Sequence, residues 1–120
     1  ELNKINVSSF DLVIVNFYPF EKEINKKKNS FADCIESIDI GGPTMLRAAA
    51  KNFLNTVVLS SSLQIKLFID LSNRNDNSID YETRKKLAGE AFQTSAYYES
   101  IIAQWFTKMT KLLNVNETSL

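Results

Sequence analysis

The residues best suited to chemistry lie in the run from Ile38 to Asn52. This run combines one carboxylate (Asp39), a Gly-Gly-Pro turn, two cations (Arg47 and Lys51) and three consecutive alanines. A carboxylate can accept or orient a proton, and an ammonium group or a phenol such as that of Tyr18 can stabilise charge on oxygen. Because the chain has no histidine, any acid–base step must use Asp, Glu, Lys, Tyr, Arg or backbone groups.

Three of these side chains also have a structural interpretation. Asp39 can cap a helix or accept backbone N–H groups, and Lys51 can be a solvated cation near a helix end. Tyr18 can be a core aromatic residue whose hydroxyl reaches water. For each residue taken alone the structural interpretation is favoured, so a functional assignment depends on finding the three together.

The composition is that of a globular protein with balanced charge. Its 120 residues, 44% of them hydrophobic, suffice for one domain with a modest core. Fourteen basic residues balance fourteen acidic ones, so no global field favours nucleic acid or an anionic membrane. The longest apolar run, Leu12–Val15, is far shorter than the roughly 20 residues that cross a bilayer, and no signal-peptide pattern is present. A cytoplasmic protein that binds neither nucleic acid nor membrane is predicted.

Cys34 is the only cysteine of the chain. A single cysteine excludes an intramolecular disulfide and a thiolate-cluster zinc site, and the absence of histidine removes the usual zinc ligands. No metal site is therefore predicted, and Cys34 is expected to be a small core residue.

Two short apolar runs predict strands of a parallel sheet. Leu12–Val15 lacks polar alternation, which is typical of a strand buried on both faces. Thr56–Leu59 predicts a second buried strand, and the charged segment Glu21–Asn29 predicts a solvated connection. The loop after the first strand, with Asn16 and Tyr18, lies at the carboxyl end of the sheet, where α/β proteins bind ligands.

The run that carries the chemistry predicts a helix from Pro43 or Thr44 to Asn52. The preceding Gly-Gly pair frees the backbone, and proline suits the first helical position. Lys51 then lies about two turns, or about 10 Å, from the start of the helix. Since the three alanines leave one helix face thin, a substrate is expected to lie along the helix, with Asp39 at one end and Lys51 at the other.

Further helices are predicted before and after this one. The order strand, helix, helix, strand, helix, helix favours an α/β layer structure. Two strands are fewer than the about 5 of a complete sheet, which indicates part of a domain. The predicted segments are a helix from Ser30 to Ser37, one capped by Ser60–Ser62 that ends before Asn73, a long helix from Asp80 through Met109, and a frayed end at Asn114–Leu120.

Four segments carry a family resemblance: Val13–Phe20, Ile38–Asn52, Arg84–Ala88 with Ala91-Phe92, and Thr94–Tyr98. In order and approximate spacing they resemble the IMP cyclohydrolase domain of the bifunctional AICAR transformylase/IMP cyclohydrolase family. The resemblance covers nearly the whole chain. It implies an α/β fold, a partial Rossmann-like and methylglyoxal-synthase-like parallel sheet flanked by helices, with a helical C-terminal part.

The resemblance also implies an activity. Members of this family close the ring of formyl-AICAR to give IMP with loss of water, the last step of de novo purine biosynthesis. This step needs no metal or organic cofactor, whereas formyl-tetrahydrofolate is used by the transformylase domain. The family's catalytic positions fall on Tyr18, Asp39 and Lys51, and the expected substrate-binding positions are Asn16, Gly41, Gly42 and Arg47.

The resemblance finally implies how the chain is organised. Residues 1–120 are expected to form the C-terminal portion of the domain, and the protein is expected to be a homodimer. The N-terminal portion, which carries phosphate-binding turns and another catalytic lysine, and the downstream transformylase domain are expected to lie outside this sequence. The isolated chain is therefore expected to be weakly active or inactive. The alternatives are a non-catalytic methylglyoxal-synthase-like module that binds a regulatory ligand and a dimerisation module.

Overall fold

A computed structural model describes residues 2–5, 8–74 and 78–110. The predicted fold class is confirmed, because helices flank a small parallel sheet and the C-terminal part is helical. The predicted frayed end at Asn114–Leu120 lies outside the described residues. After a 3-10 turn at Leu2–Ile5, the elements are β1 (Leu12–Ile14), α1 (Phe20–Ile24), α2 (Phe31–Glu36), α3 (Gly41–Lys51), β2 (Val57–Leu59), α4 (Ser62–Arg74) and α5 (Tyr81–Thr110).

The two strands are parallel, in a register that pairs Val13 with Val58. Parallel neighbours need a long crossover connection, and here α1, α2 and α3 supply it. Both strands therefore point the same way, and the residues that follow them emerge at one edge of the sheet. None of the described helices is long and apolar enough to cross a membrane.

The two strands differ in burial. All three residues of β2 are buried, which confirms the prediction for that strand. The prediction that β1 is buried on both faces is wrong, since Leu12 and Ile14 are 36% and 53% exposed. The reason is that Val13 packs against the core between the helices, whereas Leu12 and Ile14 lie on the opposite face of β1, which the described helices leave open.

The main core lies between the sheet and the helices α3 and α5. Leu46 of α3 and Val58 of β2 are completely or almost completely buried in it. Ala49 and Ala50 of α3 are buried in the same cluster, so the expectation that the three alanines form an open, thin surface is wrong for two of them. Small side chains instead let α3 approach α5 closely, where alanines again face the cluster, at Ala88 and Ala91.

A second core cluster holds α1 and α2 against α5. Cys34 of α2 is buried there, as predicted, and Ser30 is the N-cap of α2 in a capping box with Asp33. The segment Glu21–Asn29 is exposed or half-buried, as predicted for a solvated connection, but its first residues are helical, in α1. Phe20, which begins α1, is 1% exposed and packs edge-on against Trp105 at 5.5 Å between ring centroids. This cluster fixes the chain that follows β1.

Candidate functional site

The loop after β1 lines a cavity of about 250 Å³ at the carboxyl ends of the strands. Asn16 and Tyr18 come from this loop, and Ser60 comes from the end of β2. Thr94 and Tyr97 of α5 close the far side of the cavity. Two of the predicted site residues thus lie at the edge of the sheet where ligands bind in α/β proteins.

Asp39 joins this loop to the first turn of α3. Its Oδ2 atom accepts a hydrogen bond from the backbone N–H of Tyr18 at 3.0 Å, and its Oδ1 atom accepts one from Gly42 at 2.8 Å. We call this arrangement of one carboxylate and two backbone N–H groups the Asp39 bridge. It brings Tyr18, Asp39 and Gly42 together, although the Tyr18 side chain itself is 58% exposed.

The Asp39 bridge explains where α3 begins. The helix was predicted to begin at Pro43 or Thr44, but it begins at Gly41, with Ile40 already in the right-handed helical region. The first turn of a helix has backbone N–H groups without helical partners. The Asp39 carboxylate accepts one of them, from Gly42, and so the glycines become part of the helix.

The two glycines of this turn have different surroundings. A Cβ atom at Gly42 would lie 2.5 Å from Asp39 Oδ2, whereas a Cβ atom at Gly41 would meet nothing within 4 Å. Only a residue without a side chain therefore leaves room for the Asp39 carboxylate at position 42. Sequence patterns gave both glycines the same role.

Tyr98 of α5 completes the surroundings of Asp39, and sequence reasoning missed it. The backbone N–H of Asp39 donates a hydrogen bond of 2.8 Å to Tyr98 Oη. The Tyr98 ring is buried and lies edge-on against Phe17, at 4.8 Å between centroids. The partners are 59 residues apart in the chain, so the one available signal was that a buried tyrosine hydroxyl needs a partner.

The surroundings of Tyr98 raise the pKa of its hydroxyl above its usual value. Burial, which disfavours the charged form, is the main cause; the hydrogen bond from Asp39 opposes it, while the negative charges of Asp39 and Glu99 add to it. The hydroxyl is therefore neutral across the physiological range.

This shift predicts a pH dependence of stability. Because folding raises the pKa of Tyr98 above 10.0, its contribution to the free energy of unfolding is fully present below that pH and is lost as the pH rises through the folded-state value. We expect the stability to fall in alkaline solution and Tyr98→Phe to make that fall shallower. Urea unfolding followed by Trp105 fluorescence, at pH values below and above 10.0, measures the free energy of unfolding of both proteins. An equally steep fall in the variant would contradict the prediction.

Lys51 lies at the other end of α3 from the Asp39 bridge. A helix of 11 residues is about 16 Å long, so the backbones of Asp39 and Lys51 are well separated. Among the described residues the two ion pairs join Lys26 to Glu23 and Lys86 to Glu90, and neither involves Lys51. Its exposed ammonium group is therefore available to an anionic or polar ligand.

Arg47 lies between the two ends of α3. Its guanidinium group is 5.7 Å from the ring centre of Phe92 on α5, which is a cation–π contact. This contact directs the side chain across the α3–α5 surface. The structure thus joins Tyr18, Asp39 and Gly42 at the start of α3, and Gly41 lies in the same turn. Asn16 lines the neighbouring cavity, and Arg47 and Lys51 lie progressively farther along α3.

The site combines several kinds of polar group. Within the described ranges, no three His, Cys, Asp or Glu side chains converge to hold a metal ion. The arrangement offers a carboxylate, a phenol, an amide and two cations for a polar ligand. The fold is that of an α/β protein in which Asn16, Tyr18 and Ser60 follow the parallel strands at their carboxyl ends.

Comparison with known proteins identifies the family. A sequence model of the AICARFT/IMPCHase bienzyme matches residues 49–119, more than half of the chain. The chain belongs to this family. The match includes Lys51 and all of α5.

Curated relatives extend the similarity to nearly the whole chain. The bifunctional purine biosynthesis protein PurH of Buchnera aphidicola (strain Tuc7) is 44% identical over 115 residues, which are 96% of this chain and 22% of that protein. PurH of Limosilactobacillus reuteri (strain DSM 20016) is 40% identical over 120 residues, 99% of this chain and 23% of that protein. The chain therefore spans about a fifth of the length of the curated relatives it matches.

A solved structure shares the fold. The crystal structure of ForH has a TM-score of 0.75 and 30% sequence identity with this chain, over 88% of this chain and 54% of that one. The agreement supports the arrangement of the parallel strands and helices that positions the Asp39 bridge.

Proposed function

We propose that the chain acts in purine nucleotide biosynthesis as part of an IMP cyclohydrolase. In this proposal residues 1–120 form the C-terminal portion of the domain that closes formyl-AICAR to IMP, within a longer protein that also carries AICAR formyltransferase activity. Membership of the AICARFT/IMPCHase bienzyme family is the observation that carries the proposal. The relatives named bifunctional purine biosynthesis protein support it, because their similarity extends over nearly the whole chain.

The reaction needs the groups that the site offers. The carboxamide nitrogen of formyl-AICAR attacks the formyl carbon, so that a new C–N bond forms and negative charge develops on the former carbonyl oxygen. The nitrogen loses a proton and the oxygen gains one, which gives a carbinolamine. The hydroxyl group of the carbinolamine then takes up a second proton, which a ring nitrogen releases, and leaves as water. The ring C=N bond forms in the same step. A base near the nitrogen and a cation or phenol near the oxygen would accelerate both steps.

We assign these roles to Asp39, Tyr18 and Lys51. Each carboxylate oxygen of Asp39 accepts one backbone N–H group, and its remaining lone pairs can receive or orient a substrate proton. The exposed phenol of Tyr18 lies on the same loop as Asn16. The Cα–Cβ bonds of a helix tilt towards its N-terminus, so the Lys51 side chain leaves the backbone on the side of Asp39, and we assign its ammonium group to the developing oxygen charge.

A substrate lying along α3 would contact both ends of this arrangement. Asn16, Gly41 and Gly42 are assigned to substrate binding at the Asp39 end, and Arg47 is assigned to the middle. In the proposed mechanism Asp39 and Lys51 act on atoms bonded to the same carbon, so the reacting centre has to lie between the two ends of α3, where the Asp39 carboxylate and the long Lys51 side chain both reach it.

The open face of β1 supports the assignment of the chain to part of a domain. A cavity of about 560 Å³ lies between β1 and α3, lined by Phe10, Leu12, Ile14 and Met45 among others. Phe10 and Met45 are exposed, as are the outward residues of β1. Such an apolar face is unusual on the surface of a complete soluble domain. We propose that another part of the longer protein packs against it.

The test supplies formyl-AICAR directly, without a folate, to the full-length protein that contains this chain. Omission of the folate bypasses the formyltransferase step, so IMP formation followed by ultraviolet absorbance reports cyclisation alone. We expect the full-length protein to form IMP and the 120-residue chain to form little or none, because the expected phosphate-binding portion lies outside it. A full-length protein that forms no IMP would refute the activity, and efficient turnover by the isolated chain would refute the domain assignment.

A further inference from the structure

We propose that Tyr98 is a positioning residue that holds the Asp39 carboxylate in its working place. The inference rests on the proposed function, because it treats Asp39 as a group that touches the substrate. It adds a residue of α5, remote in sequence, whose hydroxyl acts on the reaction through the backbone of Asp39.

Three hydrogen bonds converge on Asp39, and each leads to a different element. The two carboxylate oxygens bind the backbone N–H groups of Tyr18 and Gly42, and the N–H of Asp39 itself binds Tyr98 Oη. The loop after β1, the start of α3 and the middle of α5 are therefore all joined through this one residue. The third bond is the one that fixes its backbone.

The position of the Tyr98 hydroxyl is set by packing. The ring is 7% exposed and lies edge-on against Phe17 at 4.8 Å and Phe20 at 6.4 Å between centroids. Phe17 directly precedes Tyr18, so the same ring contacts the loop that donates to Asp39. A hydroxyl held in this way gives the N–H of Asp39 one acceptor in one place.

Loss of the hydroxyl would leave a backbone donor without that partner. Because this hydrogen bond is partly buried, a donor that loses its acceptor there must shift to find another or remain unsatisfied. Either change moves the backbone of Asp39 relative to Tyr18 and Gly42. Because misplacement of a reacting group by about 1 Å can lower a rate by as much as about 100-fold, a smaller shift is expected to have a measurable effect on the rate.

The first test is Tyr98→Phe in the full-length protein, which removes the hydroxyl and keeps the ring. We expect kcat for IMP formation to fall by about tenfold while KM changes by less than about twofold, as for an interaction that acts in the transition state. Tyr81→Phe is the matched control, since Tyr81 lies at the start of the same helix and packs on Phe53, away from Asp39. A Tyr98→Phe variant with unchanged kcat would overturn the proposal.

The second test separates positioning from a general effect on folding. If Tyr98 acts through Asp39, Tyr98→Phe should lower kcat in the parent but have little further effect in an Asp39→Asn background. Equal loss in both backgrounds would overturn the proposal and show a merely structural role. Should Tyr98→Phe fail to fold, Phe17→Leu, which loosens the ring and keeps the hydroxyl, should show a smaller loss that is again absent in the Asp39→Asn background.

Amide hydrogen exchange distinguishes failure of this inference from failure of the proposed function. We expect Tyr98→Phe to speed exchange at the amides of Tyr18, Asp39 and Gly42 while leaving β2 unchanged. If Asp39→Asn cyclises normally, the catalytic assignment of Asp39 is wrong, whatever exchange shows. If exchange at these three amides is unchanged in Tyr98→Phe, the positioning role is wrong even where Asp39 proves essential.

Discussion

Lys51→Ala in the full-length protein is expected to lower kcat for the cyclisation of formyl-AICAR by about 100-fold or more. In the proposed mechanism, the ammonium group stabilises negative charge that develops on the former carbonyl oxygen, and loss of such a group typically costs about this much. The absence of an ion pair at Lys51 among the described residues means that the substitution leaves no carboxylate without its partner. The effect should therefore appear in catalysis rather than in stability.

Lys66→Ala is the matched control for this experiment. Lys66 lies on α4, is exposed, and is outside the candidate site. Like Lys51→Ala, the substitution Lys66→Ala changes a helical lysine to alanine and alters the net charge by the same amount. Rates are measured by the absorbance of IMP, and melting temperatures are compared alongside. A Lys51→Ala enzyme that works as fast as the Lys66→Ala enzyme would remove Lys51 from the mechanism.

Gly42→Ala is expected to destabilise the chain by about 1–2 kcal/mol, because the displaced Asp39 carboxylate loses its hydrogen bonds to the first turn of α3 and to the loop after β1. The new Cβ atom would overlap Asp39 Oδ2, at 2.5 Å, so the carboxylate must leave its place. The Asp39 bridge then loses its contact with α3. Urea unfolding of the 120-residue chain, followed by the fluorescence of its single tryptophan, Trp105, measures the difference.

Gly41→Ala is the internal control, because it makes the same chemical change one residue earlier. Its Cβ atom would have open space around it, and alanine is more favourable than glycine inside a helix by up to about 1 kcal/mol. We expect this variant to be as stable as the parent chain or slightly more stable. Equal destabilisation by the two substitutions would show that the contact with Asp39 does not decide the choice of glycine at position 42.

The strands show how far local sequence can predict this fold. Leu12–Val15 and Thr56–Leu59 have the same unbroken apolar character, and both were correctly predicted to form parallel strands. The two strands differ in burial because burial depends on which helices pack on each face of a strand. The sequence of the strand itself carries no information about those helices. The same limit applies to the alanines of α3. Their small size was recognised from the sequence, but the sequence did not show that α5 packs against them.

The candidate site shows a similar division. Asp39, Tyr18 and Gly42 lie close together in the structure, and their residue types and motifs had already singled them out. The start of α3 was placed two or three residues late because the carboxylate that binds its first turn precedes the glycines. Tyr98 ends one of the segments that carry the resemblance, but its role could not be predicted from sequence, since its contact with Asp39 spans 59 residues and depends on the packing of α5.

The uncovered strand β1 also matters for the fate of this chain in a cell. Its residues, Leu-Val-Ile, include no charge and no proline of the kind that blunts the edges of natural sheets. Along its outer edge, backbone donors and acceptors beside apolar side chains form a template onto which another extended chain can add. A proteolytic fragment with these boundaries would therefore tend to self-associate, and chaperones or proteases could recognise it by this strand.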